Sequence, residues 1–183
     1  MEPEAVVLVE GMSDRLAVEA LAKRRGRDLH SERVAVVPIG GAHAIGKLLE
    51  HYGPRGLGLR LAGLCDAGEE SYVKRALERA GFGNELARAE MEALGFYVCE
   101  ADLEDELVRA LGADAVERII EAEGESGRFE TFRKQVEKRE LSYQQQLHGF
   151  MWNRKIRYAP LLVAALDLTR VPRPLEAVLA HIS

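Results

Sequence analysis

Acidic residues stand at the ends of three apolar runs: Glu10 after Ala5–Val9, Asp66 after Leu59–Cys65, and Asp102 with Glu104 after Leu94–Cys99. Asp14 follows Glu10 closely, in Glu10-Gly11-Met12-Ser13-Asp14. If the runs are buried strands of a parallel sheet, their carboxyl ends share one edge, where α/β sheets bind ligands. Carboxylates crowded on that edge repel one another unless a cation lies between them. Hard divalent ions such as Mg²⁺ take carboxylate oxygens and keep several waters. A single acid of this kind is explained by helix capping from Ser13 or Asp14, with Glu10 merely exposed. Three strand ends that each deliver acid point to a metal site.

One competing motif fails on inspection. Gly41-Ala42-His43-Ala44-Ile45-Gly46-Lys47 has the Gly-x4-Gly-Lys spacing of a phosphate-binding loop, but Leu48 follows where Ser or Thr must hold Mg²⁺. Gly40-Gly41 reads instead as a tight strand-to-helix turn that could admit a backbone phosphate closely. His30, His43, His51, His148 and His181 show no paired metal spacing and read as surface or loop residues. Trp152 could stack on a base, but packing against the sheet is the favoured reading. Arg24, Arg25 and Arg27 close the first helix, where they favour its negative dipole end.

The elements that must position these residues follow from periodicity. Ala5–Val9, Val34–Ile39, Leu59–Cys65 and Leu94–Cys99 are apolar on both faces, the pattern of parallel strands. Helix-period segments separate them at Ser13–Lys23, Ala42–Tyr52 and Glu70–Ala80. The predicted fold is α/β, a four-stranded parallel sheet flanked by helices. Beyond Leu111 the strand signal stops, and Asp114–Glu123, Arg128–Arg139, Lys155–Leu168 and Pro174–Ile182 read as helices. Phe129, Phe132 and Val136 fall on one face of the second of these. The expected division is a core over residues 1–112 and a helical extension over residues 113–183, packed beside the acidic edge. Linkers are expected at Gly124–Gly127 and Val171–Pro174.

Composition bounds the function classes. The chain has 183 residues, 47% apolar and 30% charged, with a net charge of −5, which argues against a generally basic nucleic-acid coat but leaves room for a local basic surface. The charge is unevenly placed: residues 66–126 hold 17 acids and 6 bases, net −11, and residues 127–160 hold 8 bases and 3 acids, net +5. That is what a metal site beside a phosphate backbone would show, although on charge alone two solvated helix faces are the favoured reading. The longest apolar stretches, Ala5–Val9 and Ala159–Leu166, fall far below the ~18–20 residues of a membrane span. The acidic start does not resemble a signal peptide. Cys65 and Cys99 each end an apolar run and read as buried free thiols. A cytoplasmic protein without membrane attachment is expected.

Val7-Leu8-Val9-Glu10-Gly11, then Asp14, Ile39-Gly40-Gly41, and Asp66 after an apolar strand resemble the Toprim domain of topoisomerases, bacterial primases and several nucleases. Leu103-Glu104 and the stretch from Lys155-Ile156-Arg157-Tyr158-Ala159 to Val171-Pro172 resemble more narrowly the overcoming lysogenization defect (OLD) nucleases. The resemblance implies Mg²⁺-dependent hydrolysis of phosphodiester bonds, with Mn²⁺ as an alternative ion and DNA favoured over RNA as substrate. Glu10 matches a glutamate that holds metal and acts as general acid or base. Asp66 matches a metal ligand, Asp14 falls where an acid serves a second metal, and Asp102 with Glu104 matches a later acidic cluster. Lys155 matches a lysine that stabilises charge on the scissile phosphate.

Two departures shape the expectation. Gly68 stands where the family pattern has the second Asp of Asp-x-Asp, which leaves Glu69 and Glu70 as the nearest substitutes. In OLD proteins the Toprim domain follows an ABC-type ATPase, whereas this sequence opens at its first strand. An endonuclease or nickase active by itself therefore stands beside two alternatives. One is a module that binds metal and nucleic acid without cutting, and the other is a subunit that acts only with a separate ATPase.

Overall fold

A computed structural model describes residues 2–41 and 44–183; Ala42 and His43, in the rejected phosphate-loop spacing, lie outside the described residues. Four parallel strands, β1 (Ala5–Val9), β2 (Val34–Pro38), β3 (Arg60–Asp66) and β4 (Phe96–Cys99), form one sheet in the order β2-β1-β3-β4. Ala5 lies opposite both Val34 and Arg60, Leu8 opposite Gly63, and Asp66 opposite Cys99. The strand order reverses at β1 and β3, so a ligand crevice is expected outside their carboxyl ends. Continued, this register sets Glu10 beside Cys65, one residue short of Asp66, so both acids leave the same edge on neighbouring strands. Gly63 is required within β3, because a Cβ there would meet the Phe96 ring at 2.7 Å.

Strand residues alternate between two buried layers, which explains why each run is apolar throughout. Val6, Leu8, Leu61 and Cys65 face α2 (Ile45–Tyr52), α3 (Glu70–Ala80) and α4 (Arg88–Ala93). Ala5, Val7, Val9, Ala62 and Leu64 face α1 (Met12–Arg24) and the helices that follow β4. Those are α5 (Leu103–Leu111), α6 (Ala113–Ala122), α7 (Ser126–Arg133), α8 (Tyr143–Met151), α9 (Lys155–Ala165) and α10 (Arg173–His181). α9 lies along α1, and α10 covers β3 and β4. The apolar face that α1 leaves open is thereby closed by the last two helices.

Arginines join these layers rather than ending α1 alone. Arg24 donates to the carbonyls of Val163 and Leu166 at 2.9 and 2.6 Å, and Arg27 donates to that of Leu179 at 2.6 Å. They bind carbonyls at the ends of α9 and α10, where acceptors are underused; the Val163 carbonyl also accepts from the Leu166 N–H at 3.2 Å. Cys65 and Cys99 are buried and free, and burial pushes the Cys65 thiol up to about 12.

Two readings of the helical half need correction. The helix predicted over Arg128–Arg139 stops at Arg133, and Val136 is 77% exposed in a short 3-10 turn. Lys134–Arg139 contains one apolar residue, too few for a buried stripe, so only Phe129 and Phe132 pack, both on Phe150. The periodicity also overlooks α8. Its start is written in Ser142-Tyr143-Gln144-Gln145, a capping box in which Ser142 Oγ accepts from the Gln145 N–H and Gln145 Oε1 accepts from the Ser142 N–H.

Candidate metal centre

Glu10 ends β1 in an exposed position, and the chain turns at Gly11 into α1. Asp14 sits in the first turn of α1, and its Oδ2 accepts from the Gly11 N–H at 2.8 Å. The capping role is therefore real, and Asp14 lines the crevice as well. Asp66 ends β3. Asp102 caps α5, accepting from the Asp105 N–H at 2.8 Å, and this places Glu104 two residues into the helix. Lys155 opens α9 and reaches back across the sheet edge.

The six sequence-predicted residues come together. Glu10, Asp14, Asp66, Asp102, Glu104 and Lys155 line a single crevice of about 220 Å³ with Gly11, Ser13 and Gly41. Gly41 has φ +119°, a backbone conformation that suits glycine and keeps this wall free of a side chain. Lys155 Nζ lies 2.9 Å from Glu104 Oε2 and 3.4 Å from Asp102 Oδ2. Glu104 is 2% exposed, yet its other oxygen, Oε1, has no hydrogen-bond partner. Such an atom is costly unless a donor or cation meets it.

The electrostatics record the crowding. Burial, then the negative charge of Glu104 and Glu10, pushes Asp14 up to about 6. Burial and Glu10, which is both a neighbouring charge and a hydrogen-bond partner, push Asp66 up to about 8. Asp102 moves the other way. Burial opposes its charge, but the hydrogen bonds from His148 and the Asp105 N–H prevail and hold it at about 2. Asp102 thus stays ionised at pH 5, where Asp14 and Asp66 retain protons.

His148 is the site residue that sequence reasoning placed on the surface. Its Nε2 lies 2.9 Å from both Asp102 oxygens, and the ring is half-buried. Asp102 draws its pKa upward. A separation of 46 residues gave no local signal for this pair. Trp152, read as packing on the sheet, is instead 56% exposed in a 3-10 turn between α8 and α9. Its ring stands 4.1 Å from Lys155 Nζ and meets the His148 ring edge-on.

Several expected contributors turn elsewhere. Glu70 is paired with Arg88, and neither Glu69 nor Glu70 lines the crevice. Gly68 lies in the turn after β3, and a Cβ there would meet nothing within 4 Å, so space does not exclude the missing carboxylate. Part of the basic stretch is neutralised locally: Arg157 pairs with Glu123, while Arg128 and Arg154 approach buried Glu125 at 3.0 and 3.5 Å.

Among the described residues no group of three Asp, Glu, His or Cys side chains is placed to hold a metal ion. The carboxylates of α5 are instead drawn onto Lys155 and His148. The donors are all carboxylate oxygens, and one buried oxygen is unpartnered. This chemistry fits a hard divalent cation that keeps part of its water shell.

Three comparisons with known proteins bear on the site. The model of the overcoming lysogenization defect protein-like Toprim domain matches residues 4–67, which hold Glu10, Asp14 and Asp66. The C-terminal region of the Burkholderia pseudomallei OLD protein is similar to the chain with a TM-score of 0.76 at 20% identity, over 100% of this chain and 98% of that one. The C-terminal region of the Xanthomonas campestris pv. campestris OLD protein, phased with platinum, gives 0.78 at 23% identity over 98% and 92%. Its mercury-phased structure gives 0.75 at 25% identity over 98% and 94%. No curated protein matches. Among the described residues, no helix is long and apolar enough to cross a membrane.

Proposed function

We propose that this chain, with an OLD-like Toprim match over residues 4–67 and the fold of the C-terminal region of OLD proteins along its length, is a Mg²⁺-dependent nuclease that hydrolyses phosphodiester bonds, in DNA rather than RNA. The observation that carries this reading is the convergence of five carboxylates and one lysine at the sheet's switch point, with Glu104 Oε1 buried and unpartnered.

Glu10, Asp14, Asp66, Asp102 and Glu104 would hold the cation. When bound, Mg²⁺, or Mn²⁺ in its place, would supply an activated water and neutralise charge on the phosphate. Lys155 would then turn its ammonium toward the scissile phosphate and offset the charge that grows there. Glu10 is exposed at its strand end and hydrogen-bonded to Asp66, which suits it to take or return a proton. His148 and the Asp105 N–H fix the orientation and ionisation of Asp102, the supporting role that partners of ligating carboxylates play in metal sites.

Supercoiled plasmid tests the reading. Mg²⁺ or Mn²⁺ should produce nicks that EDTA prevents, and Asp66→Ala should lower the rate at least a hundredfold with its circular dichroism unchanged. Cleavage by Asp66→Ala at the parental rate would sink the assignment. Gly68 favours a second reading, because it removes one donor of the family pattern: a module that binds metal and nucleic acid without cutting, or cuts only with a separate ATPase. Plasmid bound in Mg²⁺ but left intact would select that reading.

A further inference from the structure

Beside the acidic crevice lies a second groove that shares Ser13 and Lys155 with it. Its most exposed apolar residues are Met12, Trp152 and Ile156, at 44%, 56% and 59% exposure. Exposed large apolar side chains are rare among the described residues, and three of the five stand here. Lys155 holds one face of the Trp152 ring by a cation–π contact, which fixes the indole and leaves the rest of it to solvent. Arg154 and Arg157 also line the groove; each already pairs with a carboxylate, Glu125 and Glu123, and the Arg157 side chain stays 49% exposed beside its partner.

We propose that Trp152, with Met12 and Ile156 beside it, is a stacking ledge for an unpaired base of a DNA strand whose phosphate lies at Lys155. This rests on the nuclease reading and deepens it, because it assigns the substrate an unpaired nucleotide at the site. The exposed indole and the half-exposed Arg157 guanidinium together select the occupant. The groove joins apolar surface to cationic side chains, the combination that takes bases and backbone of a single strand together. Lys155 belongs to both grooves, so one nucleotide can engage both at once. A base within a duplex is covered on both faces by its neighbours and cannot present itself to the indole.

Trp152 is the single tryptophan of the chain, so its emission reports on the ledge alone. The experiment adds labelled oligothymidylate, or a duplex of equal length, to the full chain at low salt with Ca²⁺ in place of Mg²⁺. Label anisotropy and tryptophan emission are followed together. Quenching that tracks single-strand binding and is absent with duplex is expected. Trp152→Ala should weaken single-strand binding about tenfold, Trp152→Phe should retain most of it, and duplex binding should change less than twofold. A strand that binds by anisotropy without quenching, or binds Trp152→Ala equally well, overturns the ledge and leaves the nuclease reading intact. Absence of binding to either probe contradicts both.

Discussion

Lys155→Met is expected to lower metal-dependent cleavage by about 10²–10³-fold, the range for removing one preorganised charge-stabilising group at a reacting centre. Its effect on stability should be distinct and opposite in its response to metal. Lys155 is the ion-pair partner of Glu104, whose carboxylate is 2% exposed. Removing one member of a fully buried pair costs about 3–5 kcal/mol. The Lys155 side chain is 24% exposed, so about 2–3 kcal/mol is expected here, or roughly 5–10 °C in Tm for a chain of this size. Added Mg²⁺ should recover much of that loss by supplying the missing positive charge, while cleavage stays low. A variant of normal stability that cleaves at the parental rate would remove Lys155 from the site.

The second large effect lies in the pH dependence of stability in EDTA. A carboxyl whose folded pKa is raised favours the folded protein while it keeps its proton. Asp14 and Asp66 therefore weaken the fold as pH rises from their ordinary value near 3.8 through about 6 and about 8. One proton gives at most about 1.4 kcal/mol per pH unit, and solvent reaching Asp66 screens this to about half. Asp102 acts in the opposite sense, losing its contribution as pH falls from 3.8 toward about 2, outside that window. Asp66→Asn should consequently be more stable than the parent at pH 8 and nearly equal to it at pH 5. Divalent metal should stabilise the parent more at pH 8 than at pH 5, since binding must displace these protons. Thermal melts at the two pH values, with Mg²⁺ and with EDTA, measure all of this. A parent whose Tm in EDTA rises steadily from pH 5 to pH 8 would contradict it.

The sheet and its acidic edge were legible in the sequence for a physical reason. Buried parallel strands are apolar on both faces, so Ala5–Val9 and Leu59–Cys65 stand out, and the first polar residue beyond each run marks the strand's carboxyl end. Glu10 and Asp66 were readable on that ground. Asp102 and Glu104 followed from the fourth run, and Lys155 came only through the family resemblance. His148 was not readable, because its link to Asp102 is made by the packing of α8 against α5. Trp152 misled through its type: a large aromatic is usually covered, and only the geometry between α8 and α9 exposes it. Val136 misled through its spacing, which matched a helical face in a segment too polar to continue one. The cap at Ser142 was the one strong local signal left unread.

The most direct test of the account is Mn²⁺ binding, followed by the loss of the free-ion electron paramagnetic resonance signal on titration into EDTA-stripped protein. The account predicts saturable binding at pH 8 that weakens at pH 5 and falls at least tenfold in both Glu10→Gln and Asp66→Asn, with the fold retained. Binding unchanged in both variants, or absent from the parent, would contradict it.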